Sequence, residues 1–297
     1  MLLLKRQRNL KHIELHATPH SPKPCIKDAY KADESILKAA ERADSLHFEP
    51  NCKGCLDGAK MVLERAKNVK KLKLSGFCLD SADKRISTND EGVISDPVFT
   101  ALFGHLKAPG VQPLRLTNLS LDIIDLTECK VNYANVFLFE DLKKLRLRNC
   151  WRPDLFLDCM MHPNHGRATR LEELIIENHE DESERLLNST LDRFLKHNKG
   201  LKNLQLYLNN IGTLPTLENI IWHGDTLEKL FICVRKQPRD PAGNYESYTA
   251  PDQLAQLCGA MSQLKQLALS LADWPVSMDC KLHKDKNGFK EKILVGS

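Results

Sequence analysis

The sequence predicts an α/β solenoid: a curved stack of strand–helix units, parallel strands on the concave face and helices on the convex face. Three observations predict it. Apolar residues spaced three and then two apart recur along most of the 297 residues. Between the copies, apolar residues return at three- and four-residue intervals, the spacing of an amphipathic helix. No single copy carries enough apolar surface to bury itself, so neighbours must stack.

"LKNLQL" from Leu201 shows the unit. In its middle, x-L-x-L-x is a strand with one buried face. The Leu three residues earlier sits on the incoming turn and points into the same core. The same pattern appears as "LKHIEL" from Leu10, "VKKLKL" from Val69, "LTNLSL" from Leu116, "LKKLRL" from Leu142 and "LEELII" from Leu171. It continues as "LEKLFI" from Leu227 and "LKQLAL" from Leu264, with a weaker copy, "ADSLHF", from Ala43. The steps are 33, 26, 47, 26, 29, 30, 26 and 37 residues. The three longest contain insertions: Ala17–Pro24, Asp80–Gly92 and Arg235–Asp252. Their Pro, Gly, Ser and Asp content predicts exposed loops. "VQPLRL" from Val111 also fits, but Leu116 gives the commoner 26-residue step to Leu142.

Helices are predicted over Asp33–Ala43, Cys55–Val69, Pro97–Leu106, Ser183–His197 and Ala250–Met261. Asp33, Asp57 and Ser183 are expected as N-caps and Pro97 in a first turn. A helix is about 10 Å across and a strand about 4.8 Å, so the stack curves with its sheet inside. The array is expected to fill residues 1–275 as about nine irregular repeats, a single solenoid with no second globular domain. A loosely ordered basic tail, 276–297, follows.

On these residues, from Leu10 to about Leu271, the chain resembles the leucine-rich repeat superfamily. The period and the strand–helix unit are similar to its ribonuclease-inhibitor-like and cysteine-containing classes, and the degenerate texture is similar to fungal F-box/LRR proteins. In that family an Asn or Cys at the ninth position bonds turn backbone; Cys150, Asn209 and Asn51 match it, and the other six units do not.

Composition sets the class of function. Net charge is +4, too small to mark a nucleic-acid binder, and the basic ends read as solvated tails. "MLLLKRQR" has three Leu before its charges and no signal-peptide order. No apolar run approaches the roughly 20 residues of a membrane span. The expectation is a cytoplasmic or nuclear protein whose ten Cys are reduced and mostly buried.

Few residues suggest chemistry. "CKGC" (Cys52–Cys55) has the spacing of a redox dithiol or half a zinc site, but with no second pair it reads as turn residues. "HPNH" (His162–His165) reads as loop histidines, and the acidic run Glu177–Glu184 as a helix start. Nucleotide-binding, zincin and hydrolase motifs are absent from the sequence. Trp151, Trp222 and Trp274 are expected as core or capping residues. No catalytic residue, metal ligand or cofactor is expected.

The informative surface is the concave face. Side chains beside each buried Leu pair point outward, including His12, Glu14, His47, Lys71, Lys73, Lys144, Arg146, Arg148, Glu173, Ile175, Glu177, Gln205, Tyr207 and Phe231. Lys71, Lys73, Lys144, Arg146 and Arg148 form a basic cluster, Glu173 and Glu177 an acidic pair, and Ile175, Tyr207 and Phe231 an exposed apolar group beside Gln205. Arg and aromatic residues are enriched at binding hot spots. The expected function is a non-catalytic protein-interaction scaffold whose protein partner docks on this face. The family resemblance implies the substrate-recognition region of an F-box-type ubiquitin ligase receptor. No F-box precedes Leu10, so a cullin adaptor is expected as a partner only of a longer product. The alternative is a repeat protein that regulates or inhibits an enzyme of nuclease or GTPase type.

Overall fold

The structure, a computed structural model, describes residues 11–16, 34–50, 53–76, 98–108, 110–129, 133, 136–162, 169–178, 184–209, 214–235 and 251–269. The greater part of each insertion, the tail 276–297, Cys52, His165 and Trp274 lie outside the described residues.

Elements alternate along two compact units, residues 1–170 and 171–297. The first contains β1 (His12–His16), α1 (Glu34–Ala40), β2 (Ser45–Glu49), α2 (Lys53–Arg65), β3 (Lys71–Ser75), α3 (Val98–Phe103), β4 (Asn118–Asp122), β5 (Lys144–Arg148) and α4 (Pro153–Met160). Strands β1 to β5 pair in that order, all parallel. The second contains β6 (Glu173–Asn178), α5 (Glu184–His197), β7 (Asn203–Asn209), α6 (Leu217–Ile221), β8 (Lys229–Arg235), α7 (Pro251–Ala260) and β9 (Gln266–Leu269). Strands β6 to β9 are again parallel in sequence order.

Each strand begins at the third residue of a template copy, including the weak copy at Ala43 and the preferred register at Leu116. The competing Val111 copy forms no strand; Leu114 makes only an isolated bridge to Phe137. The register is set by a bond repeated from copy to copy. Backbone N–H groups at the second and third template residues donate to the carbonyl of the second residue in the preceding copy. Examples are Lys70 and Lys71 to Asp44, Lys143 and Lys144 to Thr117, and Glu228 and Lys229 to Lys202. Within each unit, one forked acceptor per step keeps strands level, so like positions stand side by side.

Packing follows from the alternation. Leu72, Leu74, Leu119, Leu121, Leu145 and Leu147 are buried on one side of the strands in the first unit, and Leu174, Leu204, Leu206, Leu230 and Ile232 on one side of the strands in the second. Helices α1, α2 and α3 pack side by side in the first unit, and α5, α6 and α7 in the second. Between β3 and β5 the core is aromatic. Phe99, Phe103, Tyr133, Phe137, Phe139 and Phe156 are all buried, and Phe99 meets Tyr133 edge-on at 5.0 Å.

Some elements depart from the sequence expectation. Asp57 lies inside α2, exposed, rather than at its start, because the helix begins four residues earlier. Helix α4 was not expected, although Pro153 in its first turn and Asp154 beside it are ordinary start signals. Its entry is unusual: Arg152 is left-handed (φ 55°) and its guanidinium donates twice to buried Asp154, at 2.9 and 2.8 Å. No helix among the described residues is long and apolar enough to cross a membrane.

Candidate functional site

Strand periodicity puts residues i and i+2 on one face, so the outward side of the strands in the first unit is a grid. Its rows, read across β3, β4 and β5, are Lys71–Asn118–Lys144, Lys73–Ser120–Arg146 and Ser75–Asp122–Arg148. Lys71, Lys73, Lys144 and Arg146 are exposed, while Asn118 and Ser120 are half-buried. Strands are about 4.8 Å apart and same-face residues about 6.7 Å apart. The Cα atoms of the four cationic residues therefore mark the corners of a rectangle about 9.6 Å by 6.7 Å, with two small polar residues along its midline.

Arg148 stands apart from this group. It is half-buried, and its guanidinium lies 3.7 Å from the Asp122 carboxylate, so the third row is close to neutral. Of the five cations in the basic cluster read from the sequence, four are exposed and Arg148 is half-buried beside Asp122.

On β1 and β2 the expectation fails at one position. His47, read as outward, is 6% exposed. Flanking side chains cover it: Glu14 Oε1 lies 3.7 Å from Nδ1 and Glu49 Oε1 3.3 Å from Nε2. His12 joins the same network, with Nε2 2.7 Å from Glu14 Oε1 and Nδ1 2.9 Å from Ser45 Oγ. A carboxylate only accepts, so Nε2 of His12 carries a proton and, in the neutral ring, Nδ1 accepts from the Ser45 hydroxyl.

In the second unit the rows are Glu173–Asn203–Lys229–Gln266, Ile175–Gln205–Phe231–Ala268 and Glu177–Tyr207–Cys233. Ile175, expected in an exposed apolar group, is 8% exposed. Tyr207 and Phe231 are half-buried and sit diagonally on neighbouring strands, within reach for large rings. Glu173 and Glu177 are also half-buried. A polar relay fixes the first two rows: Gln205 Nε2 donates to Asn203 Oδ1 at 3.0 Å, and Asn203 Nδ2 donates to Glu173 Oε2 at 3.2 Å.

Sequence reasoning missed one exposed aromatic. Trp222, expected as a core or capping residue, is 58% exposed, with the Lys199 ammonium 5.0 Å from its ring centroid. A signal was available. Ile220 and His223, three apart, are the buried pair, and of the two residues between them Trp222 lies on the opposite side of the helical turn.

The cysteines are quiet. Cys55, Cys129, Cys150 and Cys159 are buried and form no disulfide among the described residues. A hydrogen bond with Cys159, and then burial, push the Cys129 thiol far above its ordinary value, which suppresses the reactive thiolate. Cys150 lies 3.4 Å through sulfur from the carbonyl oxygens of Leu121 and of Arg148. That is the backbone-bonding role the family resemblance implies for a ninth-position Cys. Among the described residues, no group of three or more His, Cys, Asp or Glu is arranged to hold a metal ion.

The chain matches no family model and no curated protein.

Proposed function

We propose that the chain is a protein-interaction scaffold of the leucine-rich-repeat kind, taking partners on the outward side of its parallel strands. One observation carries the reading: four exposed cations stand in register over β3 and β5 while the alternate residues of the same strands are buried Leu. Side chains on paired strands are pre-positioned, so little ordering entropy is lost when a partner docks. The summed field of Lys71, Lys73, Lys144 and Arg146 favours an acidic protein segment and raises its rate of encounter. The repeated inter-copy bond and the Cys150 contacts support the leucine-rich-repeat reading. Within that family the finer proposal is substrate recognition for a ubiquitin ligase of F-box type.

The test is affinity capture with wild-type chain and with Lys73→Glu/Arg146→Glu, followed by mass spectrometry. Both substituted residues are exposed, so folding should be nearly unchanged. Partners should be acidic at the contact and lost from the double variant. A cullin adaptor co-captured with them supports the ligase role. Recovery of the same partners by both chains contradicts docking on this face.

A further inference from the structure

The grid over β3, β4 and β5 has a pitch, and the pitch restricts what fits it. Lys71 and Lys144 flank Asn118; Lys73 and Arg146 flank Ser120. The two rows are one strand repeat apart, about 6.7 Å. An extended peptide has the same repeat: its side chains at i and i+2 lie on one side, about 6.7 Å apart. Two acids separated by one residue, laid along β4, would each fall between a pair of facing cations. Adjacent acids on an extended chain point to opposite sides, so only one would reach the trough.

Three further features define the trough. Its walls, on strands two apart, are separated by about 9.6 Å, and long Lys and Arg side chains can close on a group seated over the midline. Its floor, Asn118 and Ser120, is small, polar and half-buried, so it offers hydrogen bonds without filling the space. Beyond the second row stands the Asp122–Arg148 ion pair at 3.7 Å, whose carboxylate repels a third acid. The site therefore counts to two. Lys71, Lys73 and Arg146 make no ion pair among the described residues, so at least three of the four corner charges need not break an internal pair to bind.

We propose that the surface over β3, β4 and β5 binds an extended acid–x–acid segment of a protein partner, lying along β4 with one carboxylate over each row. This rests on the sheet-face docking reading above and adds the spacing and number of its acids. A nucleic-acid strand also presents regularly spaced negative charges, but the neutral third row and the chain's +4 charge favour a short acidic peptide over a continuous polyanion.

The experiment uses the full chain and two labelled peptides of identical composition, titrated by fluorescence anisotropy at low and at physiological ionic strength. One peptide carries Glu-x-Glu in a neutral background and the other carries Glu-Glu. The alternating peptide should bind about fivefold more tightly, the gain expected from one further exposed charge contact of good geometry. A third alternating Glu should add little. Lys73→Ser and Arg146→Ser should each erase the difference between the two peptides; both sites are exposed, and an unchanged melting curve confirms the fold. Equal binding of the two peptides by wild type overturns the spacing argument and leaves docking on this face standing. No measurable binding of either, even at low ionic strength, overturns both. A single-stranded oligonucleotide of equal charge that binds more tightly than the alternating peptide and displaces it also overturns the proposal.

Discussion

Ile123 shows what a single residue can cost and why it is hard to read in advance. It follows β4 directly, with φ 56°, and is 41% exposed. Asn149 follows β5 in the same way, with φ 48°. A left-handed backbone costs an L-residue roughly 1–2 kcal/mol, and a β-branched residue is among the poorest fits; Asn tolerates it. Ile123→Asn should therefore raise stability by about 1 kcal/mol, read as a higher urea midpoint at unchanged slope. A lower midpoint would show that the Ile side chain supplies more than its backbone costs. Gly76 carries the opposite constraint: a Cβ there would collide with the Ile123 carbonyl. Gly76→Ala should cost at least about 2 kcal/mol, measured in the same titration. Neither residue was legible in the sequence, since both depend on a turn whose geometry is set by the neighbouring repeat. The burial of His47 and Ile175 was hidden for a related reason. Strand alternation assigns a face, but how far neighbouring side chains cover that face depends on who stands beside it.

At the scale of elements the sequence was far more informative. Strand positions could be read because the template ties three buried Leu to one turn and one strand, and a shift of one residue would expose all of them. Helices α1, α2, α5 and α7 fall where the three-and-four spacing placed them, with their ends moved by a few residues. The spacing also found α3, which ends in a 3-10 turn over Gly104–Lys107. Helices α4 and α6 were missed, although α4 is longer than α1 and α3 and its Pro153 and Asp154 are ordinary start signals. The alternation yields a test within one strand. Leu147→Ala on β5 removes a fully buried side chain and should cost about 2–5 kcal/mol, typical of a core Leu. Arg146→Ala, its exposed neighbour, should change stability by less than about 0.5 kcal/mol. Similar losses for the two would mean that β5 does not present one face to the core.

Over the whole molecule, net charge says little and local arrangement says more. A chain of +4 carries an exposed cationic grid in one unit and a half-buried Tyr207–Phe231 diagonal in the other. The residue types of the candidate site were legible in the sequence. The withdrawal of Arg148 into an ion pair and the small polar midline were not, because they depend on which strand lies beside which. Stability should also respond to pH. Burial lowers the pKa of His223, whose ring is 3.0 Å from the Leu195 carbonyl through Nε2, and of His105. With folded values below the ordinary 6.5, the unfolded chain binds more protons in that window. Stability should therefore be full above about pH 6.5 and fall as pH drops below it. Melting curves between pH 7.5 and 5 should show the loss, and His223→Gln should flatten it; a melting temperature independent of pH in that window would contradict neutral burial of these rings.

The central claim is that the cationic face over β3 and β5 receives a protein partner. The most direct measurement is the association rate of a captured partner with wild-type chain and with Lys73→Glu/Arg146→Glu, each at several salt concentrations. The account predicts slower association of the variant, a weaker salt dependence than wild type, and an unchanged melting temperature. Equal rates and equal salt dependence for the two chains would contradict it.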